Sequence, residues 1–435
     1  MADSLRIALA GLGTVGAGVI RVLTENGDLI AKRAGRPIEI VAVNARDRSK
    51  DRGVDLSGYV WEDDMSAFAN RDDVDVVVEL VGGSDGPALA LARKTLAGGK
   101  GLVTANKAMI AHHGMELAEA AEQAGVPLRY EAAVAGGIPA VKGLGEGAAA
   151  NRIERIYGIL NGTCNYILSQ MEGSGADFGD VLKDAQELGY AEADPTFDVE
   201  GVDAAHKLAI LASLAFGTRL DFEAVDCSGI SAIRAADIAQ ADQLGFVIRL
   251  IGLADCTTDE SGARLFQRVA PCLVAKDHAL AGPKGPTNAV VIEGDHVGQL
   301  LLQGAGAGAG PTASAVVADL IDIARGFNPP PLGLPAGMLD ASTPADPAGR
   351  RNRAYIRFTV ADRPGVLAEI TAALRDAEVS IESLIQHGKP GEDGEPVLVA
   401  MVTHEGPEGS VTKALDLLAG SPALTEAPLV MRLID

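Results

Sequence analysis

Aromatic residues make up only 4% of this 435-residue chain, with a single tryptophan, and cysteine occurs just four times. Cys164, Cys227, Cys256 and Cys272 are scattered with no C-x-x-C spacing. That pattern leaves no basis for a disulfide framework or a zinc site, and it fits a reducing, cytoplasmic setting. Positive charge is in the minority: 37 Lys and Arg stand against 59 Asp and Glu, for a net charge of -22. An acidic surface of that size argues against nucleic acid or an anionic membrane as partner. No apolar run approaches the roughly 18–20 residues of a membrane span. The opening MADSLRIALAGLG has no basic leader and no small-residue cleavage site, so it reads as a strand rather than a signal peptide.

What is present is a globular composition, 47% hydrophobic, in a chain long enough for two or three domains. The first third alternates strand and helix signals. Residues 5–10 form a short apolar run, 17–30 a helical pattern, and 38–43, 74–80 and 101–104 further strands. This rhythm implies a parallel sheet covered by helices, a Rossmann-type α/β domain over residues 1–130. Residues 131–326 read as a separate α+β body. It has strands at 153–160, 246–254 and 289–293 and helices at 163–171, 178–188 and 202–216; its last helix is a candidate to pack back on the first domain. Six prolines between 329 and 347 make 327–352 a linker. Residues 353–435 then give strand, helix, strand, strand, helix, strand, the βαββαβ order of a ferredoxin-like module.

Gly11-Leu12-Gly13-Thr14-Val15-Gly16 is a G-x-G-x-x-G that follows a strand and opens a helix. Gly11 allows the tight turn, Gly13 lets backbone approach a pyrophosphate, and Gly16 lets helix and strand pack closely. The free N–H groups of the helix start then hold the anion. In that context dinucleotide binding outranks a plain glycine turn. After the second strand come Asn44, Ala45, Arg46, Asp47 and Arg48. Arg46 favours a 2′-phosphate and hence NADP, Asp47 keeps NAD open, and both arginines also fit an ordinary solvated loop. Lys107, in Thr104-Ala105-Asn106-Lys107, sits at the carboxyl edge of the sheet, where it faces the ligand crevice or is a plain surface lysine. The turn from Asn161 to Tyr166 caps a helix or binds substrate. The run GAGAGAG at 304–310 is a close-approach loop beside the cofactor or a flexible connector.

Residues 189–207, GYAEADPTFDVEGVDAAHK, carry five acids: Glu192, Asp194, Asp198, Glu200 and Asp203. Asp203 and Lys207 are four apart and share a helix face. As an exposed pair they would contribute only about 0.2–0.5 kcal/mol. The apolar LAILASLAFG that follows reads as a buried helix, and charge at the mouth of a buried helix is costly unless paired or used.

With GLGTVG, TANK, EAAVAGGIP, GILNGTCNYI, GYAEADPTFDVEGVDAAHK and the glycine run before PTASAVVADL, residues 1–326 resemble the homoserine dehydrogenases; the tail resembles an ACT domain through Asp362-Arg363-Pro364-Gly365-Val366-Leu367. The resemblance implies reversible NAD(P)H-dependent reduction of L-aspartate 4-semialdehyde to L-homoserine, toward threonine, methionine and isoleucine. By motif it implies Lys207 as proton donor, with Lys107 near nicotinamide and substrate sharing the acid role, and Gly189, Glu192 and Asp203 at the substrate. Gly11, Gly13, Thr14, Val15, Gly16, Arg46, Lys107 and Gly308 are implied to hold the cofactor. Glu131 with the carbonyls of Val134, Gly136 and Ile138 matches a monovalent-cation site, such as one for sodium. Asp362, Gly365 and Val366 are implied to bind an amino-acid effector, threonine by analogy. A homodimer or homotetramer is expected. One departure is visible: Cys164 stands where the family more often has threonine. Two other readings compete, a dehydrogenase for a different small amino-acid aldehyde and a regulatory binding protein that has lost catalysis.

Overall fold

The computed structural model describes residues 3–260, 262–387 and 396–434. The first sheet contains β1 (Leu5–Ala10), β2 (Ile38–Asn44), β3 (Val60–Trp61), β4 (Val76–Glu79), β5 (Gly101–Thr104) and β6 (Leu128–Arg129). All are parallel, in the order β3-β2-β1-β4-β5-β6. The central strands are apolar on both faces because helices cover both sides. Those helices are α1 (Thr14–Glu25), α2 (Gly27–Ala34), α3 (Pro87–Ala97) and α4 (Lys107–Ala124). The single helix expected over 17–30 is two. At Asn26 the backbone leaves helical space (φ -112, ψ 16), and Gly27 starts the next helix; asparagine and glycine are poor helix-interior residues.

The middle of the chain contains α5 (Ala140–Lys142), β7 (Ile153–Ile159), α6 (Gly162–Ser174), α7 (Phe178–Glu187), α8 (Thr196–Val199) and α9 (Val202–Phe216). Next come β8 (Asp226–Cys227), α10 (Ala235–Gln243), β9 (Phe246–Asp259), β10 (Gly262–Ala275), β11 (Thr287–Gly294), β12 (Gly298–Ala305) and α11 (Ala309–Ala324). α9 is buried continuously from Asp203 to Ser213, as its all-round apolar sequence predicts. α11 returns to lie against α1. Gly18 makes this possible, since a Cβ there would fall 2.7 Å from the Ala309 carbonyl oxygen. Ala313, Val316 and Leu320 thereby share a core with Val19 and Ile20.

The proline-rich stretch is not a bare tether. Leu332, Ala336 and Leu339 are buried, the Tyr130 hydroxyl donates to the Pro331 carbonyl at 2.6 Å, and β13 (Ser342–Pro344) pairs with β10. The tail follows as β14 (Arg351–Asn352), β15 (Ala354–Ala361), α12 (Val366–Asp376), β16 (Ile381–His387), β17 (Pro396–Thr403), β18 (Gly406–Pro407), α13 (Glu408–Leu417) and β19 (Leu429–Ile434). Apart from the small β14–β18 pair, this is the predicted βαββαβ order. The tail's sheet continues that of the middle body. β19 pairs in parallel with β10 through Cys272↔Arg432 to Val274↔Ile434, and the strand order runs β12-β11-β7-β9-β10-β19-β15-β17-β16. Buried polar contacts seal the junction. Arg357 pairs with Asp237, the Tyr355 hydroxyl lies 2.6 Å from Gln240 Oε1, and Arg268 and Arg432 both hold Glu408 (2.9 and 3.2 Å). Among the described residues no helix is long and apolar enough to cross a membrane.

Candidate active site

The glycine loop between β1 and α1 shows three different glycine requirements. A Cβ at Gly11 would sit 2.6 Å from the Leu80 carbonyl oxygen, and Gly11 has φ +98. At Gly16 a Cβ would strike the Gly11 carbonyl oxygen at 2.1 Å. At Gly13 it would meet nothing within 4 Å, so the space beside Gly13 is open to a ligand. Gly13 is also the N-cap of α1, with no side-chain cap on the helix. Uncapped N–H groups and an open glycine face fit the diphosphate of a dinucleotide.

From this loop a cavity of about 960 Å³ runs between the two bodies, lined by Val15, Lys107, Asn161, Thr163, Asp203 and Lys207 among others. The glycine run supplies another wall. Residues 304–308 line the cavity where β12 ends, and Gly308, at φ +116, is the N-cap of α11. The run is thus the end of a strand, a tight loop and a helix start, not a flexible connector.

α9 presents Asp203 and Lys207 to the cavity one turn apart, and α4 presents Lys107 from its first residue. Asp203 bridges the lysines. Its Oδ2 accepts from Lys207 Nζ at 2.7 Å, and its Oδ1 lies 3.0 Å from Lys107 Nζ. Lys207 also donates to the Leu160 carbonyl at 2.8 Å. Asn161 Nδ2 donates to Asp203 Oδ2 at 2.7 Å and to Asp198 Oδ1 at 2.8 Å, while its own Oδ1 caps α6 through the Cys164 N–H. Capping and site construction, separate alternatives in the sequence, are here done by one side chain. Burial alone would raise the Asp203 carboxyl; Lys207, Lys107 and Asn161 outweigh it and hold it well below the usual carboxylate range. Burial pulls Lys107 down, but Asp203, Asp198 and Glu192 prevail and leave it raised. Asp198 is raised, by burial and by Asp203.

The other expected site residues are placed as follows. Gly189 lines the cavity, but the side chain of Glu192 is exposed and does not; Asp198 lines it instead. Asp198 stands in the same acidic string, on the short helix α8 that begins after Pro195. Thr163 Oγ1 sits 3.0 Å from the Tyr190 carbonyl oxygen and 3.3 Å from Asp198 Oδ2. Cys164 is fully buried and donates to the Asp198 carbonyl, so its departure from threonine does not reach the cavity wall. Arg46 is exposed beyond β2, while Asp47 Oδ1 accepts from the Ser49 N–H (2.8 Å) and hydroxyl (2.7 Å). Glu131 is buried, and its oxygens accept from the N–H groups of Val141 and Lys142. The carbonyl of Ile138 accepts from Ala140 N–H, and Gly136 at φ +58 lies against Gly306. In the tail, Asp362 and Gly365 are exposed, Val366 is buried, and Gly365 starts α12 at φ +96. A histidine pair that sequence reasoning passed over joins the lysine-bearing helices, His112 Nε2 of α4 lying 3.2 Å from His206 Nε2 of α9. Burial and His112 push His206 down to about 4.

A dinucleotide loop opening on a buried carboxylate that pairs two lysines fits the class of nicotinamide-dependent dehydrogenases. Comparison with known proteins makes this specific. The model "Homoserine dehydrogenase, NAD binding domain" matches residues 11–131, "Homoserine dehydrogenase" matches 139–321, and "ACT domain" matches 354–418. The homoserine dehydrogenase of Synechocystis is 45% identical, covering 99% of this chain and all of that protein. That of Pseudomonas aeruginosa is 44% identical over 95% of each. The crystal structure of a homoserine dehydrogenase from Thiobacillus denitrificans superposes with a TM-score of 0.91 at 42% identity, covering 100% of this chain and 99% of that one. The chain belongs to the homoserine dehydrogenase family. It is an NAD(P)-dependent oxidoreductase that interconverts L-aspartate 4-semialdehyde and L-homoserine in amino-acid biosynthesis, and it carries a C-terminal ACT domain.

Proposed function

We propose that Lys207 stabilises and protonates the aldehyde oxygen, that Lys107 supports it, and that Asp198 and Asp203 receive the substrate ammonium, with the exposed Glu192 adding negative charge near Lys107. The observation that carries this reading is Asp203 bridging both ammonium groups inside the cavity. A bound reduced nicotinamide supplies the hydride. As negative charge grows on the carbonyl oxygen, an ammonium already in place stabilises it and then delivers a proton. Lys207 has three N–H donors; Asp203 and Leu160 take two, leaving one for substrate. Alanine at Lys207 tests the assignment.

NADP(H) is the proposed preferred cofactor. Support comes from the loop after β2, where Asp47 is occupied by Ser49 and Arg46 is exposed. Arg46→Ala is expected to lower the NADPH-to-NADH ratio of kcat/KM about tenfold, a charge-assisted contact being lost to one cofactor alone. An unchanged ratio would remove Arg46 from the cofactor site.

A monovalent cation is proposed beside Glu131 and the carbonyls of Val134, Gly136 and Ile138. Burial and Asp319 raise the Glu131 carboxyl to about 7. A carboxyl raised in the folded state contributes stability below its unfolded pKa and loses it as pH rises through about 7. A bound cation offsets that loss. Sodium chloride, compared with equimolar choline chloride, is therefore expected to raise Tm more at pH 8 than at pH 5.5. Equal effects at both pH values would count against the site.

The proposed domain division is 1–130, 131–326 and 353–435, with 327–352 as a packed connector, in a cytoplasmic homodimer or homotetramer. Asp362, Gly365 and Val366 are proposed to bind threonine; threonine that neither raises the Tm of the full chain nor alters its turnover would exclude this.

A further inference from the structure

Glu79 ends β4 as a carboxylate with no solvent exposure, after three apolar residues buried on both faces. Packing alone would favour an apolar residue there, and a buried carboxylate survives only where its oxygens are fully used. They are. Oε1 accepts from the N–H groups of Val81 (2.7 Å) and Gly82 (3.0 Å), and Oε2 accepts from the Thr104 hydroxyl at 2.6 Å. Thr104 Oγ1 in turn accepts from the Asn106 N–H at 3.0 Å. Asn106 closes the circuit, since its Nδ2 donates to the Gly83 carbonyl at 2.7 Å and its Oδ1 caps α4 through the Met109 N–H at 3.1 Å. The ring joins the end of β4, the Gly82–Gly83 loop, the end of β5 and the first turn of α4. Gly82, Gly83 and Lys107 line a second cavity of about 490 Å³ that shares Ala105 and Lys107 with the main one.

The ring has a direction. Thr104 has a single hydroxyl proton, and it accepts from Asn106, so that proton must go to an acceptor at Glu79. Val81 and Gly82 also need an acceptor there. Only a carboxylate offers acceptors on both sides; an amide turns its NH2 toward one of them and opens that arm. Both Gly82 and Gly83 adopt left-handed φ values, +85 and +88; a Cβ at Gly82 would meet nothing within 4 Å and one at Gly83 only the Asp85 carbonyl oxygen at 3.8 Å, so the hydrogen bonds from Glu79 and Asn106 are what hold the loop.

We propose that Glu79 is a positioning residue for Lys107: through Thr104 and Asn106 its carboxylate fixes the first turn of α4 and the Gly82–Gly83 loop beside it. This rests on the assignment of Lys107 to the reacting site. The test measures kcat, KM and Tm for Glu79→Gln, Thr104→Val and Thr104→Ser, alone and in a Lys107→Ala background. Glu79→Gln and Thr104→Val are expected to lower kcat about tenfold, a misplacement effect, and Thr104→Ser, which keeps the hydroxyl, to stay within about twofold of wild type. In the Lys107→Ala background Glu79→Gln is expected to lower kcat by less than about twofold more, because effects through a shared residue do not add. Effects that multiply in that background, or wild-type kcat in both Glu79→Gln and Thr104→Val, would overturn the proposal. Should Glu79→Gln not fold, the two threonine variants decide alone. Wild-type turnover by Lys107→Ala itself would instead refute the assignment of Lys107, and the ring's catalytic purpose with it.

Discussion

Lys207→Ala is expected to lower kcat for semialdehyde reduction by about 10³-fold, the range for losing together a preorganised donor to a developing oxyanion and its proton source, the roles proposed for Lys207. NADPH affinity stays within about threefold, because removing an interaction made in the transition state spares ground-state binding. Lys107→Ala has a smaller effect, about 10–100-fold. The ranking follows from how firmly each ammonium is held. Lys207 is buried on α9 and fixed by both Asp203 Oδ2 and the Leu160 carbonyl. Lys107, one-third exposed in its side chain, has Asp203 Oδ1 as its carboxylate partner. A donor fixed by two partners needs less reorganisation as charge develops than one fixed by fewer. Single-turnover reduction with saturating NADPH reads the chemical step directly. A Lys107→Ala defect deeper than that of Lys207→Ala would reverse the assignment.

Much of this arrangement was legible because it is periodic or local. G-x-G-x-x-G between a strand and a helix, the four-residue spacing of Asp203 and Lys207, and the βαββαβ tail each write their geometry into consecutive residues. What escaped was non-local. β10 (Gly262–Ala275) is arginine-rich at its start and alternates poorly, yet it pairs along its length with β9 and takes β8, β13 and β19 besides. Edge pairing is made by backbone groups, so it leaves no side-chain period to read. For that reason the tail looked like a detached module although its sheet continues that of the catalytic body. Asp198 was hidden differently. Five acids crowd residues 192–203; Asp203 stood out by its spacing from Lys207, but only the fold of α8 separates Asp198 in the cavity from the exposed Glu192. Glu79 carries the opposite lesson: a charge ending an all-apolar parallel strand is a visible signal.

The continuous sheet bears on how the effector proposed for the tail would reach the chemistry. β19 pairs with β10 at Cys272 to Val274, and Val269 of the same strand lies 3.1 Å from where a Cβ on Gly201 would be. Gly201, at φ +84, is the N-cap of α9. One strand therefore touches both the last strand of the ACT domain and the start of the helix that carries Asp203 and Lys207. Packed elements transmit small shifts because interiors are dense and have few voids to absorb them.

Asp203→Asn is the second large effect, and it separates two jobs of one carboxylate. The amide keeps the shape and can still accept, but two ammonium groups then face each other with their shared countercharge gone. Breaking a buried pair in this way costs about 3–5 kcal/mol of stability. The wild type's advantage is full above the ordinary carboxylate pKa of about 4 and fades as pH falls toward the depressed folded value of Asp203. Denaturant titrations of both proteins at pH 7 and at about pH 2.5 should therefore show a gap that narrows on acidification, with little change between pH 7 and about pH 4. In catalysis kcat/KM is expected to fall about 10³-fold, through loss of both the proposed ammonium recognition and lysine placement. The alkaline limb of the pH profile also moves. Burial pulls Lys107 down, and Asp203 is its strongest opposing influence, ahead of Asp198 and Glu192; without Asp203 the lysine loses its proton at lower pH than in the wild type. A variant with the wild-type alkaline limb would show that Asp203 serves only the substrate's ammonium, and that the lysines draw their charge from elsewhere.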